Sequence, residues 1–179
     1  MKDFVSQCDV CQTHHDSQVR EPIIQHVSPL PSAKIAADLY YFLGRVLLVV
    51  RDNFGNFSQV DSLSTENSKA LIRSPMAMWQ IRGVGSVVTD NGPCFASSVF
   101  ATMASQWNFQ HVTSSPRYPQ SNGKTENAVR TVKRLFTKCW AAGVSEFRGL
   151  LDWRNIPSEG IDTGPAQWSF GRRCKIGLK

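Results

Sequence analysis

The sequence predicts an α/β fold, a mixed five-stranded sheet flanked by helices, and three observations carry that prediction. Val46 to Val50 is an unbroken apolar run of strand length, as a strand buried on both faces requires. The β-branched and aromatic stretches Ile35 to Tyr41 and Phe57 to Asp61 lie on either side of it. Leu43-Gly44-Arg45 and Asn53-Phe54-Gly55-Asn56 make the turns between them, so the three strands form an antiparallel meander. Beyond the meander, helical and strand patterns alternate, giving the order β-β-β-α-β-α-β-α-α.

The elements follow in order. Ser64 or Thr65 caps a helix from Thr65 to about Trp79, with Glu66 in its first turn. Gly83 and Gly85 break the chain before a short strand, Ser86 to Asp90. A helix from Ala96 to Gln106 and a strand from Phe109 to Val112 come next. The stretch Ser114 to Gly123 is a turn-rich loop. A long helix then runs from about Gly123 to Trp140, with Val129, Val132, Leu135 and Phe136 as its core-facing stripe. A shorter helix, Val144 to Trp153, precedes a Pro- and Gly-rich tail. In domain terms, residues 1–20 are a polar head and residues 21–33, with three prolines, an extended linker. Residues 34–156 are the folded core and 157–179 a C-terminal extension.

The chain has 179 residues, enough for one sizeable core. Twenty Lys and Arg against 14 Asp and Glu give a net charge of +6. That charge suits a polyanionic partner without proving one. Val46 to Val50 is the longest apolar run and is far too short to cross a bilayer. The N-terminal residues contain no apolar stretch of signal-peptide length. Membrane spanning and secretion are therefore not expected. The 5 cysteines are odd in number and scattered except for Cys8-x-x-Cys11, which argues against a disulfide framework and for a reducing compartment.

Three carboxylates stand out by position. Asp38 lies in the first strand. Asp90 ends the fourth and runs straight into Asn91-Gly92-Pro93. Glu126 opens the long helix, with 35 residues between it and Asp90. Carboxylates presented from different elements towards one point suit a hard divalent cation shared with substrate phosphates. Two such ions about 4 Å apart stabilise both oxygens of an in-line displacement at phosphorus. Singly, each acid has an ordinary explanation. Asp before Asn-Gly is turn chemistry, and Glu in a first helical turn complements the helix dipole.

The words around the acids go further. Val88-Thr89-Asp90-Asn91-Gly92-Pro93-x-Phe95, and Thr113-Ser114-Ser115-Pro116-Arg117-Tyr118-Pro119-Gln120-Ser121-Asn122-Gly123-Lys124-x-Glu126, resemble the catalytic core of a retroviral-type integrase. The nearest pattern is the gypsy-type long-terminal-repeat retrotransposon integrase, a segment of a Pol polyprotein. Trp153-Arg154-Asn155-x-Pro157, Thr163-Gly164-x-x-Gln167 and Phe170-Gly171-Arg172 resemble the segment that follows the core in that family. The resemblance implies an RNase H-like fold. It places Asp38, Asp90 and Glu126 in the three catalytic, metal-binding positions, with Mg²⁺ or Mn²⁺ as cofactor. It further implies trimming of the element's DNA ends, then joining of the new 3′-hydroxyls to target DNA. The implied partners are DNA and further copies of the chain, and the implied location is the nucleus after cytoplasmic passage.

Lys124, Arg130, Lys133, Arg134 and Lys138 make the long helix basic. Arg130 lies four residues after Glu126, so the pair shares a face. With the resemblance, Arg130 and Lys133 read as phosphate contacts, joined by Lys124 and by Asn122 in the preceding loop. Without it, they read as a solvated face with a Glu126–Arg130 ion pair. Cys8 and Cys11 have the spacing of half a zinc site. In the family, two His ligands precede this pair. Here the pair reads as an incomplete half-site that would take Zn²⁺ only with those His present.

Three departures from the family stand out. Pro31-Ser32-Ala33-Lys34 holds no Trp before the first acid. Arg51 stands where a small apolar residue is expected, and an Arg in a central strand needs a partner or an edge. Pro75 falls inside the first helix, where it should kink or end it. These departures leave an alternative open: a degenerate or co-opted integrase-derived module that binds DNA or protein without catalysis. A different RNase H-like nuclease or transposase fits less well, because of the 35-residue spacing and the Pro-Gln-Ser-Asn-Gly loop.

Overall fold

The computed structural model describes residues 28, 30–73, 83–114, 123–157 and 162–176. Five strands form one sheet: β1 (Lys34–Phe42), β2 (Arg45–Asp52), β3 (Ser58–Leu63), β4 (Ser86–Thr89) and β5 (Gln110–Thr113). Their order across the sheet is β3-β2-β1-β4-β5. β1, β2 and β3 pair antiparallel, as the hairpin turns require, while β4 joins β1 and β5 joins β4 in parallel. This is the mixed five-stranded sheet read from the sequence. The β1–β2 turn is two residues long, with positive φ at both Leu43 (48°) and Gly44 (74°). That geometry matches the right-handed twist of the strands it joins.

The period-2 alternation of β1 and β2 divides the interior into two layers. Ile35, Ala37, Leu48, Val50 and Val87 face α1 (Ser68–Arg73) and α2 (Ser98–Gln106), where Phe100 and Met103 are buried. Tyr40, Leu47, Val49 and Val60 face α3 (Gly123–Ala141) and α4 (Glu146–Asn155). β2 is buried on both faces, which is why Val46 to Val50 carries no polar alternation.

Several boundaries differ from the sequence reading. α1 starts at Ser68, not Thr65, because Asn67 is the cap: its Oδ1 accepts from the Ala70 N–H at 2.8 Å. Glu66 consequently lies before the helix, where its carboxylate accepts from the Tyr41 hydroxyl. Pro75 falls outside the described residues. α2 starts at Ser98, capped by Ser97, whose hydroxyl accepts from the Phe100 N–H at 3.2 Å. In α3 the buried stripe is Ala128, Val132, Phe136 and Cys139, with Val129 and Leu135 only partly covered. The stripe thus steps by four residues and then by three, the spacing of one helix face, set by how α3 lies on β1 and β2.

Arg51 is not at an edge. It sits in β2, 8% exposed, and burial lowers its guanidinium pKa. Its Nε donates to Asn56 Oδ1 at 3.4 Å, from a turn residue with φ 56°. Asp52 points the other way and accepts from the Ser32 and Phe54 N–H groups at 3.0 and 2.9 Å. A turn side chain, not the neighbouring acid, is what partners Arg51.

The tail contains a further helix, α5 (Pro165–Phe170), absent from the sequence reading. Pro165 at its first position and Gly171 in the left-handed conformation just past its end are the signals that mark it. At six residues it shows no periodicity, and packing holds it. Trp168 meets Phe54 edge-on with centroids 5.3 Å apart, and Phe170 meets Phe57 at 5.0 Å. Arg154 donates to the Ser58 carbonyl at 3.0 Å and lies over the Phe57 ring. Asn155 accepts from the Cys174 N–H at 2.8 Å and donates to its carbonyl at 3.1 Å. Asn155 therefore docks the tail onto the core, while Arg154 holds α4 against β3.

Candidate active site

The sheet register brings the first two acids together. Ala36 of β1 pairs with Val88 of β4. Asp38 follows two residues further along β1, and Asp90 comes just past the end of β4, so alternation aims both towards the face that α3 covers. Glu126 lies in the first turn of α3, above them. The Asp38 carboxyl is raised to about 6, first by burial and then by the negative charges of Asp90 and Glu126. The Leu39 N–H, donating to Asp38 Oδ1 at 2.8 Å, opposes the shift. Asp38 thus feels the charge of two acids widely separated from it in sequence.

Asp90 is held from two sides. Its Oδ1 accepts from the Gly92 N–H at 3.1 Å, closing a turn around the carboxylate. A Cβ on Gly92 would lie 3.0 Å from that same oxygen, so the glycine leaves room for the acid. The Asp90 carbonyl accepts from the Thr89 hydroxyl at 2.7 Å. Gly92→Ala is expected to push the carboxylate aside by a few tenths of an ångström. Stability should change by less than about 1 kcal/mol, since the clash is with the end of a flexible side chain. The midpoint of an Mg²⁺-dependent thermal shift should rise by about tenfold, the effect of a lost orienting contact.

Among the described residues, no three His, Cys, Asp or Glu side chains converge tightly enough to hold a metal ion. The donor set nonetheless fits a hard divalent cation. It offers only carboxylate oxygens, and the charges that shift Asp38 are two anions and no cation. Arg130 and Lys133 are exposed on α3, and no ion pair joins Glu126 to Arg130 among the described residues. Asn122, the Lys124 side chain, Cys8 and Cys11 lie outside the described residues. Sequence reasoning missed Thr89 and His111, which contact each other beneath Asp90. A Thr immediately before a strand-end Asp was the only local signal.

No family model matches the chain. It is 28% identical over 187 residues to the uncharacterized protein K02A2.6 of Caenorhabditis elegans, covering 98% of this chain and 14% of that protein. It is 27% identical over 196 residues to the Pro-Pol polyprotein of feline foamy virus, covering 97% of this chain and 16% of the polyprotein. The chain thus spans only about a seventh of each relative's length. Its fold matches a chain of the simian T-cell lymphotropic virus intasome, solved in complex with PP2A regulatory subunit B56 gamma. That match has a TM-score of 0.77 at 19% identity, over 99% of this chain and 68% of that one. The catalytic core domain of BIV integrase matches with a TM-score of 0.65 at 18% identity, over 76% of this chain and 92% of that one. The chain is similar in sequence to a Pro-Pol polyprotein and has the RNase H-like fold of the retroviral integrase catalytic core.

Proposed function

We propose that this chain is the catalytic core of an integrase from a retrotransposon or retrovirus-like element, acting as a metal-dependent polynucleotidyl transferase on DNA. The observation that supports the reading is that the charges of Asp90 and Glu126, from two other elements, both act on the Asp38 carboxyl. Mg²⁺ or Mn²⁺, when bound, would offset charge on the attacking and leaving oxygens of a phosphodiester. In end processing, a water oxygen bonds to phosphorus and the P–O3′ bond breaks, freeing a 3′-hydroxyl. In strand transfer, that hydroxyl oxygen bonds to a target phosphorus and the target's own P–O3′ bond breaks. Both steps are displacements of the same kind, so one set of acids serves both.

The chain's own groups have separable roles. Asp38, Asp90 and Glu126 hold the cations. The Leu39 and Gly92 N–H groups aim two of the three carboxylates before any ligand arrives. Arg130 and Lys133 grip backbone phosphates from the exposed side of α3, with Lys124 and Asn122 extending the track. The DNA ends and the target are the partners. Joining two ends calls for more than one copy of the chain, and access to chromosomal DNA places it in the nucleus.

The test is a DNA-nicking and strand-transfer assay with Mg²⁺ and Mn²⁺, run beside Asp90→Asn and Glu126→Gln. Each substitution should remove about 4 kcal/mol of charge stabilisation, about a thousandfold in rate, with the circular dichroism of the fold unchanged. Retained activity in either variant would overturn the site. Wild type without activity and without any metal-induced rise in melting temperature would favour a co-opted, non-catalytic module.

A further inference from the structure

His111 lies on β5, one strand beyond Asp90, and nothing in the proposed transfer chemistry uses it. Its Nε2 is 2.9 Å from the Thr89 hydroxyl oxygen. That hydroxyl donates its only hydrogen to the Asp90 carbonyl at 2.7 Å. The Thr89 oxygen can therefore only accept from His111, which puts a hydrogen on Nε2. The imidazole is itself held: it meets Phe100 edge-on at 4.7 Å, and Phe100 is fully buried between Phe95 and Phe109. Thr89 has 0% exposure, so no water competes for its hydroxyl. On its far side, the Thr89 carbonyl accepts from the Ser114 N–H at 2.8 Å, just after β5.

These contacts form a chain from the core to the site. Phe100 orients the ring, the ring orients the Thr89 hydroxyl, and the hydroxyl sets the Asp90 peptide plane. The Gly92 N–H then fixes the carboxylate that this plane presents. We infer that His111 is a positioning residue, aiming the Asp90 carboxylate through the Thr89 hydroxyl. The inference rests on the reading of Asp90 as a ligand acid, and it adds a second layer of support to that acid.

Three variants separate this role from simple packing. His111→Phe keeps an aromatic ring against Phe100 and loses the N–H donor. His111→Gln restores a donor at the reach of Nε2. Thr89→Val removes the hydroxyl at nearly constant shape. In thermal-shift titrations with MgCl2 and MnCl2, His111→Phe and Thr89→Val should each need about 10- to 100-fold more metal for half the response. The double variant should be no worse than either single one, and His111→Gln should recover most of the loss. Wild-type sensitivity in His111→Phe, or additive losses in the double variant, would overturn the inference.

A wild type that does not respond to metal would count against the metal reading itself. The contact chain is then read by the ¹³C shift of the Asp90 carbonyl and the ¹⁵N shifts of the imidazole. Both should move in Thr89→Val, and the Asp90 shift should return in His111→Gln. An Asp90 carbonyl shift indifferent to His111→Phe would sink the relay on its own.

Discussion

Asp38→Asn is expected to make the metal-free protein more stable at pH 7.5 while abolishing strand transfer. The Asp38 carboxyl is raised from 3.8 to about 6, chiefly by burial and then by Asp90 and Glu126. The folded state therefore binds this proton more tightly than the unfolded chain. Below about pH 4 both states hold the proton, and the group costs nothing. As pH rises through about 6, the folded state must accept a carboxylate that its surroundings disfavour, so stability falls. A shift of this size corresponds to about 3 kcal/mol, and partial solvent contact reduces that to on the order of 2 kcal/mol. Asparagine carries no charge and can still accept from the Leu39 N–H. The pH dependence of chemical denaturation should flatten between about pH 4 and 6.5 in the variant relative to wild type. Mg²⁺ should stabilise the wild type most above pH 6, where the carboxylate is bare, and should leave Asp38→Asn unmoved. A variant no more stable than wild type at pH 7.5 would show that neither burial nor the neighbouring acids disfavour the Asp38 carboxylate.

Phe100→Ala should produce the largest loss of stability. Phe100 is fully buried and meets Phe95, Phe109 and His111 edge-on, joining α2 to β5 and to the turn after β4. Truncating such a ring removes transfer energy and leaves a cavity, about 3–5 kcal/mol together. Against a total of about 5–15 kcal/mol, that is a large fraction. For a chain of this length the melting temperature should fall by on the order of 10 °C, read by calorimetry. The same cavity frees the imidazole. Phe100→Leu, which refills part of the space, should recover stability ahead of metal affinity if ring-on-ring orientation matters for Asp90. Equal recovery of both would assign the whole effect to packing.

The two sides of the site were not equally legible. Asp90 and Glu126 each sit in a distinctive local setting, a strand-end turn and a first helical turn. Their partner Asp38 is a single acid within a strand, and only the register with β4 sets it beside Asp90. Arg51 illustrates the converse. The sequence required a partner or an edge for it, and Asn56 came into reach through a turn conformation that no pattern of hydropathy encodes.

What the sequence determined by itself is the order and type of the main elements. Apolar runs, turn residues and cap residues act over a few positions, and such short-range physics is written directly in the chain. The tertiary structure alone decided three things: the exact stripe of α3, the docking of α5, and the contact of His111 with Thr89. Each depends on two elements meeting across the sheet. The energy of such a contact belongs to the packed pair, so neither segment carries it in its own pattern.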